Sequence, residues 1–439
     1  MDAPLEHSFH RLAPLGRALY DTSTDTLWER DTRTLPRYLR RRRRAYRAFA
    51  RTQIAPLALS VDAAPEVYDP RPLFERAAAA GFQSEQLPPP FGTMPVQSLG
   101  GGPVFHSALK AEEFTSACGG LGLSLLAHDL GTAPLMLSGD FDAVKRWLVP
   151  LCRDNRKGAA RMAAFAITEP AAGSDAEESA GAALVKAGTT ARRVDGGYVL
   201  DGQKVFISGG ANADLVMVFA ALEPSAGSPQ IDNDWTCFVV ERGTEGFRSG
   251  RSEHKLGQRA SDATELFFDS VFVGDDHRVG AERSGWALNR NVLNYSRIPV
   301  GAIALGIAAG ATELAIDFCR TTRLGGRPLL SYQEVQLALA DLWLDVSAMR
   351  GMVWQAARHR PASQGVSSAA KVFCGDRAFA VTNRAMDLLG EHGALHATGV
   401  EKAMRDARLN QIYEGTNQIN RLAIFESFGD ADFGTDVSS

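Results

Sequence analysis

The feature that most constrains the fold is a double change of periodicity. Between about residues 162 and 275 short β-rich runs, "GGYVL", "KVFIS", "LVMVFAAL", "WTCFVVE" and "ELFFDSVFV", alternate with Gly, Asp and Pro turns, whereas both flanks repeat at three- and four-residue steps. Two such switches in one chain specify helices, then a β region, then helices. Within the β region, Asp201-Gly202 between "YVL" and "KVF" reads as a two-residue hairpin.

On the N-terminal side, "PRPLFERAAAAGF" and "KAEEFTSACGGLGLSLLAHDL" carry helical stripes broken by "PPPFG" and "GGGP". On the C-terminal side, "VGAIALGIAAGATELAIDFCRTTR", "YQEVQLALADLWLDVSAMRGMVWQAAR" and "SSAAKVFCGDRAFAVTNRAMDLL" have the length and apolar faces of a bundle. The expected class is α+β multidomain. An N-terminal helical domain (35–161), a middle β-barrel or sandwich (162–276) and a C-terminal four-helix-type bundle (277–430) lie between an extension (1–34) and a tail (431–439). The first thirty residues, the stretch near "EPSAGSPQIDND" and the last ten read as loose.

With 439 residues, 45% of them hydrophobic, the chain can fill more than one core, and a net charge of −4 provides no field for nucleic acid or an anionic membrane. Five cysteines without a metal-like spacing read as reduced structural thiols, so a cytoplasmic setting without a metal is expected. No basic flank with an apolar run opens the sequence, and no uninterrupted apolar run of about twenty residues occurs, so neither secretion nor a membrane span is expected. "RYLRRRRRAYRAFAR" spaces Tyr46, Phe49, Ala50 and Ile54 helically. Its arginines then fall mostly on the outer faces of an amphipathic helix rather than forming a nucleic-acid patch.

Three short runs carry chemistry. In "FAITEPAAGSDA" Thr168 and Gly173 either shape a turn, with Gly173 left-handed, or join Ser174 in gripping a polar cofactor. In "DGQKVFISGGANAD" alternation places Phe206 and Ser208 on one face, either as half-buried strand residues or as an aromatic and a hydroxyl for a planar ring. In "QIYEGTNQINR" Glu414 is either a catalytic base or the end of a helix.

Together with "RSEHKLGQRASDATELFFDSVFV", "YSRIPVGAIALG" and "MRDARLNQIYEGTNQINRL", these runs in this order resemble the acyl-CoA dehydrogenase family over nearly the whole chain after about residue 35. The resemblance implies FAD-dependent α,β-dehydrogenation of an acyl-CoA or related thioester, with an electron-transfer flavoprotein as acceptor. It implies that Glu414 takes the α-proton and that Phe165, Thr168, Gly173, Ser174, Phe206, Ser208, Thr416 and Gln418 contact FAD. It further implies that Arg297, Tyr413 and Gly415 serve the substrate. Phe206 and Ser208 stand where the family usually has Trp and Thr, and keep a ring and a hydroxyl. The alternative position for the base reads Asn294-Tyr295-Ser296-Arg297, without a carboxylate.

The departures lie in elements lent to a neighbouring subunit. "TTRLGGRPLL" displaces Arg323 by one position and puts Gly325 in place of an aromatic residue, while Arg327 follows. "AMDLLGEHGAL" sets Asp387 and Glu391 where the family turns a Gln and a Gly toward the FAD pyrophosphate. Carboxylates there repel an anion unless they point away or arginines compensate. A homodimer or homotetramer with an adjusted site, and a heteromer with a second family subunit, both follow. An oxidase using O2 and a catalytically degenerate partner subunit are the alternatives to a dehydrogenase.

Overall fold

The structure, a computed structural model, describes residues 13–15, 25–174, 188–223, 235–359 and 363–428. Of the segments expected to be loose, residues 1–12, 16–24, 224–234 and 430–439 lie outside them. The chain divides into two compact units, residues 1–44 and 45–439.

In the first unit, helix α1 (Leu27–Thr34) occupies sequence expected to be loose. Thr26 accepts a hydrogen bond from the Glu29 N–H while the Glu29 carboxylate accepts one from the Thr26 N–H, a reciprocal cap that the spacing Thr-x-x-Glu encodes. Helix α2 (Arg37–Phe49) bears the arginine run. The arginines are expected to face mostly outward, and Arg43 is one that does not: it is fully buried, with its guanidinium 5.2 Å from the Trp28 ring centre.

In the second unit, the far end of α2 buries Tyr46 and Phe49, and Arg47 pairs with Glu313 at 2.7 Å. Helices α3 (Arg71–Ala79), α4 (Pro103–Ala117), α5 (Gly119–Leu137) and α6 (Val149–Arg156) lead into the strands. These are β1 (Ala163–Ala166), β2 (Thr190–Val194), β3 (Gly197–Ser208), β4 (Leu215–Leu222), β5 (Trp235–Glu241), β6 (Phe247–Ser252), β7 (Ala263–Gly274) and β8 (Arg278–Val279).

The strands join in the order β6-β7-β3-β2-β4-β5-β8, with β1 parallel to the first half of β4. One face of the sheet collects Tyr198, Leu200, Val218, Phe238, Leu266 and Val271 from β3, β4, β5 and β7 into a single apolar cluster. Strands distant in the pairing order therefore curl toward one another. The opposite face packs Phe165, Met217, Phe219 and Val239 with residues of α5 and α6. β4 is buried on both faces, which is why its sequence is a continuous apolar run rather than an alternation.

The hairpin expected at Asp201-Gly202 does not form. β3 runs straight through that dipeptide, and the turn to β2 falls at Asp195-Gly196, with Val194 opposite Gly197. A bulge absorbs Gly202, whose φ is 142° and where a Cβ would come within 2.6 Å of the Thr189 backbone. Both Asp-Gly pairs carry the local turn signal, and pairing with β7 along the rest of β3 selects the first.

After β8 come α7 (Gly285–Thr321), α8 (Gln333–Arg358), α9 (Gln364–Leu389), α10 (Val400–Leu409) and α11 (Asn417–Glu426). α7 is long and apolar enough by composition to cross a bilayer, yet 78% of that window is buried inside the fold. Its apolarity serves the core, where α4, α5, α8, α9 and α10 pack around it. All five cysteines are free and buried.

The Thr168-Glu169-Pro170 loop is tied to β3 by a buried ion pair. Lys204 Nζ lies 2.7 Å from Glu169 Oε1, and the side chains are only 2% and 6% exposed. Burial pushes the Glu169 carboxyl up, but Lys204 and the N–H groups of Gly188 and Thr189 outweigh it and hold the group below its ordinary value. Lys204→Met leaves that carboxylate buried without its cation, at a cost of about 3–5 kcal/mol. The double variant Lys204→Met/Glu169→Gln is expected to regain a large part of the lost thermal midpoint, measured by scanning calorimetry.

Candidate active site

The loop from Asn410 to Thr416 answers the question raised by Glu414. α10 ends at Leu409 and α11 begins only at Asn417, where Thr416 caps it by accepting the Ile419 N–H at 3.2 Å. Glu414 therefore lies on a separate turn, with φ of 59° at Glu414 and 76° at Gly415. Such a backbone costs a non-glycine residue about 1–3 kcal/mol and persists only where the surroundings over-determine it.

Here they do. Lys371 Nζ, 1% exposed on α9, donates to the Gly415 carbonyl at 2.6 Å and to Asn417 Oδ1 at 2.8 Å. Asn420 Nδ2 donates to the carbonyls of Glu414, Gly415 and Thr416 at 3.2, 2.9 and 3.0 Å. The Thr416 N–H donates to Ser174 Oγ at 3.0 Å, tying this loop to the one after β1.

The turn aims Glu414 into a cavity of about 530 Å³. Apolar walls come from α5 (Leu123, Leu126) and from one face of α7 (Leu293, Val300, Ile303). Pro299, also on that face, removes the helical hydrogen bond to the Tyr295 carbonyl. Glu414 Oε1 accepts a hydrogen bond from Ser296 Oγ. Burial raises the Glu414 carboxyl above its ordinary value, while Ser296, Arg297 and Lys371 pull it back. The result is a carboxylate with increased basicity facing an apolar space. Burial likewise pushes the Tyr413 phenol up, so this cavity-lining group stays neutral.

Phe206 occupies another part of the same cavity wall. It falls in a bulge of β3 opposite β7 and has φ of 58°, which turns 59% of its surface outward. Phe165, Thr168, Gly173, Ser174, Ser208 and Thr416 also line the cavity. An exposed aromatic face beside several hydroxyls suits a planar heteroaromatic group with a polar edge, so the residues present fit a flavin. Gly173 is not left-handed, which removes the turn-forming reading of that glycine.

Of the expected site residues, Glu414, Tyr413, Gly415 and seven of those assigned to the cofactor meet at this cavity: Phe165, Thr168, Gly173, Ser174, Phe206, Ser208 and Thr416. Three do not. Arg297 is 2% exposed, does not line the cavity and donates to Ser368 Oγ at 3.0 Å. A guanidinium on the inner face of α7 finds its partner within the bundle. Gln418 is exposed at the start of α11, since one residue beyond the buried Asn417 rotates it to the outer face. Arg323 sits on a small exposed hairpin, β9 (Arg323–Leu324) with β10 (Arg327–Pro328), and donates to the Gly326 carbonyl at 3.0 Å. Asp387 and Glu391 are also exposed and away from the cavity.

Sequence reasoning missed Ser296, Lys371 and Asn420. Lys371 left a trace: a lone cation in the apolar run "SSAAKVFC". Ser296 and Asn420 left none, since their partners lie 118 residues away and on the preceding loop.

Comparison with known proteins bears on the fold as a whole. Family models match along most of the chain: "Acyl-CoA dehydrogenase, N-terminal domain" at residues 39–155, "middle domain" at 164–271 and "C-terminal domain" at 283–428. An acyl-CoA dehydrogenase of Bacillus subtilis is 34% identical, covering 87% of this chain and 95% of its own. A cyclohex-1-ene-1-carbonyl-CoA dehydrogenase of Geobacter metallireducens is 36% identical, covering 86% and 94%. The solved butyryl-CoA dehydrogenase of Megasphaera elsdenii superposes with a TM-score of 0.80 at 29% identity, over 90% of this chain and 98% of that one. With a curved sheet between two helical regions, a cavity where they meet and relatives of this identity, the chain belongs to the acyl-CoA dehydrogenase family of oxidoreductases.

Proposed function

We propose that this chain performs FAD-dependent α,β-dehydrogenation of an acyl-CoA or related acyl thioester, with Glu414 as the base. The observation that carries this reading is the shared cavity: the Glu414 carboxyl and the exposed Phe206 ring line one space, each on left-handed backbone. When bound, FAD would supply the acceptor for the β-hydride.

The chain's own residues do the rest. Glu414 takes the α-proton on its carboxylate, and its raised basicity brings it toward what proton abstraction near neutral pH needs. Ser296 fixes the carboxylate's direction, since misplacement by about an ångström is costly. Leu293, Ile303 and Tyr413 exclude water. The backbone N–H of Glu414 is assigned to the thioester carbonyl, where a hydrogen bond strengthens as enolate character grows. Phe206 would pack against the flavin ring, and Thr168, Ser174, Ser208 and Thr416 would hold its polar edge. Arg297 is reassigned from the substrate to the electrostatics of Glu414, and we keep the division at 35–161, 162–276 and 277–430 as part of this reading.

We further assign Arg323 and Gln418 to the cofactor of a neighbouring copy or of an unlike family subunit, an electron-transfer flavoprotein as acceptor, and a cytoplasmic setting. Flavin absorbance and the FAD-to-subunit ratio of the purified chain test the first point. A ratio near one supports a homomeric enzyme.

Glu414→Gln is expected to keep its flavin and to lose thioester-dependent bleaching by about 10²–10⁴-fold, read by stopped-flow absorbance. The base must be ionised, so kcat/KM is expected to fall as pH drops through the raised carboxyl value. Ser296→Ala removes a hydrogen bond that favours the charged form, and the acid limb of the pH profile then moves to higher pH. Phe206→Ala is expected to lower the FAD-to-subunit ratio without changing the far-UV circular dichroism spectrum.

A further inference from the structure

One end of the cavity is polar, and nothing in the reaction above uses it. Ser107 on α4, Asp129 on α5 and Tyr295 on α7 line the cavity, and the same three line an adjoining void of about 20 Å³, room for one water. Burial pushes the Tyr295 phenol up, and the Ser107 hydroxyl beside it pulls it partly back. Asp129 is 15% exposed, and its Oδ2 lies 2.8 Å from Lys110 Nζ. The Gln86 side chain donates to Asp129 Oδ1 at 2.8 Å.

Behind them lies a buried charged cluster. Lys110 Nζ is also 3.3 Å from Glu85 Oε2, and the Tyr46 hydroxyl donates to Glu85 Oε1 at 2.8 Å. His106, 3% exposed, has an Nδ1 atom without a hydrogen-bond partner among the described residues.

An acyl chain ending in a methyl group would desolvate Asp129 and Tyr295 and return no hydrogen bond. One ending in a carboxylate would meet Asp129 as a like charge, and one ending in an ammonium would have to compete with Lys110, whose Nζ already holds both Asp129 oxygens at 2.8 and 3.1 Å. A hydroxyl avoids all three penalties, because it donates to the carboxylate and accepts from a phenol or a serine.

On the thioester reading above, we infer that the acyl group this enzyme takes ends in a hydroxyl that donates to Asp129 and is read by Tyr295. Asp129 and Tyr295 are then its specificity-determining residues.

The test is calorimetric binding to the FAD-loaded Glu414→Gln protein. Straight-chain acyl-CoA thioesters of increasing length are compared with their ω-hydroxy counterparts. The expected result is a preference of about tenfold for the hydroxy compound at the chain length that reaches α5. Asp129→Leu is expected to reverse the preference. Tyr295→Phe, which leaves the Lys110 ion pairs in place, is expected to reduce it about threefold. Tighter binding of the methyl-terminated compound at every length, or a preference unmoved by both variants, would overturn the inference. Binding is read without turnover, so failure of the parent enzyme to dehydrogenate any thioester would count against the proposed reaction and not against this selectivity.

Discussion

The site depends on one strained turn. Left-handed backbone at Glu414 and Gly415 lifts a carboxyl out of the helix-to-helix connection and into the cavity. The strain is held by donors from outside the turn, Lys371 from α9 and Asn420 from α11. Lys371 is also a buried charge whose field favours the ionised form of Glu414, against the desolvation that raises its proton affinity. One lysine thus acts on both the geometry and the basicity of the same residue.

A second left-handed residue lines the same cavity. Phe206 would point into a half-buried face if β3 were regular, and the bulge between Lys204 and Ile207 turns its ring outward instead. Lys204 itself points the other way and locks the Thr168-Glu169 loop through its buried ion pair. Two strained residues on one cavity, the Glu414 turn braced by buried Lys371, fit the general pattern in which local backbone cost is concentrated where chemistry is done.

The cavity also has two chemically different ends. Where the sheet and the Glu414 loop meet, it offers an aromatic face, small hydroxyls and a carboxylate of raised basicity. Among α4, α5 and α7 it offers Asp129, Tyr295 and Ser107 backed by buried charge. An apolar middle connects them.

The order helix, β, helix was legible because periodicity is a local property of the chain, and the runs around Thr168, Phe206 and Glu414 were legible because several separated motifs had to agree at once. Local signals failed where two sites carried the same one. Asp195-Gly196 and Asp201-Gly202 are identical dipeptides, and only pairing with β7 decided which became the turn. The arginine at 297 sits in a recognisable run, yet its inward direction follows from the packing of α7 on α9. Residue types and their periods determined which elements form and which groups are chemically able to act. The tertiary structure alone decided which of those groups share a cavity and which are buried with a counter-charge, because burial and electrostatic partners are set by segments tens to hundreds of residues apart.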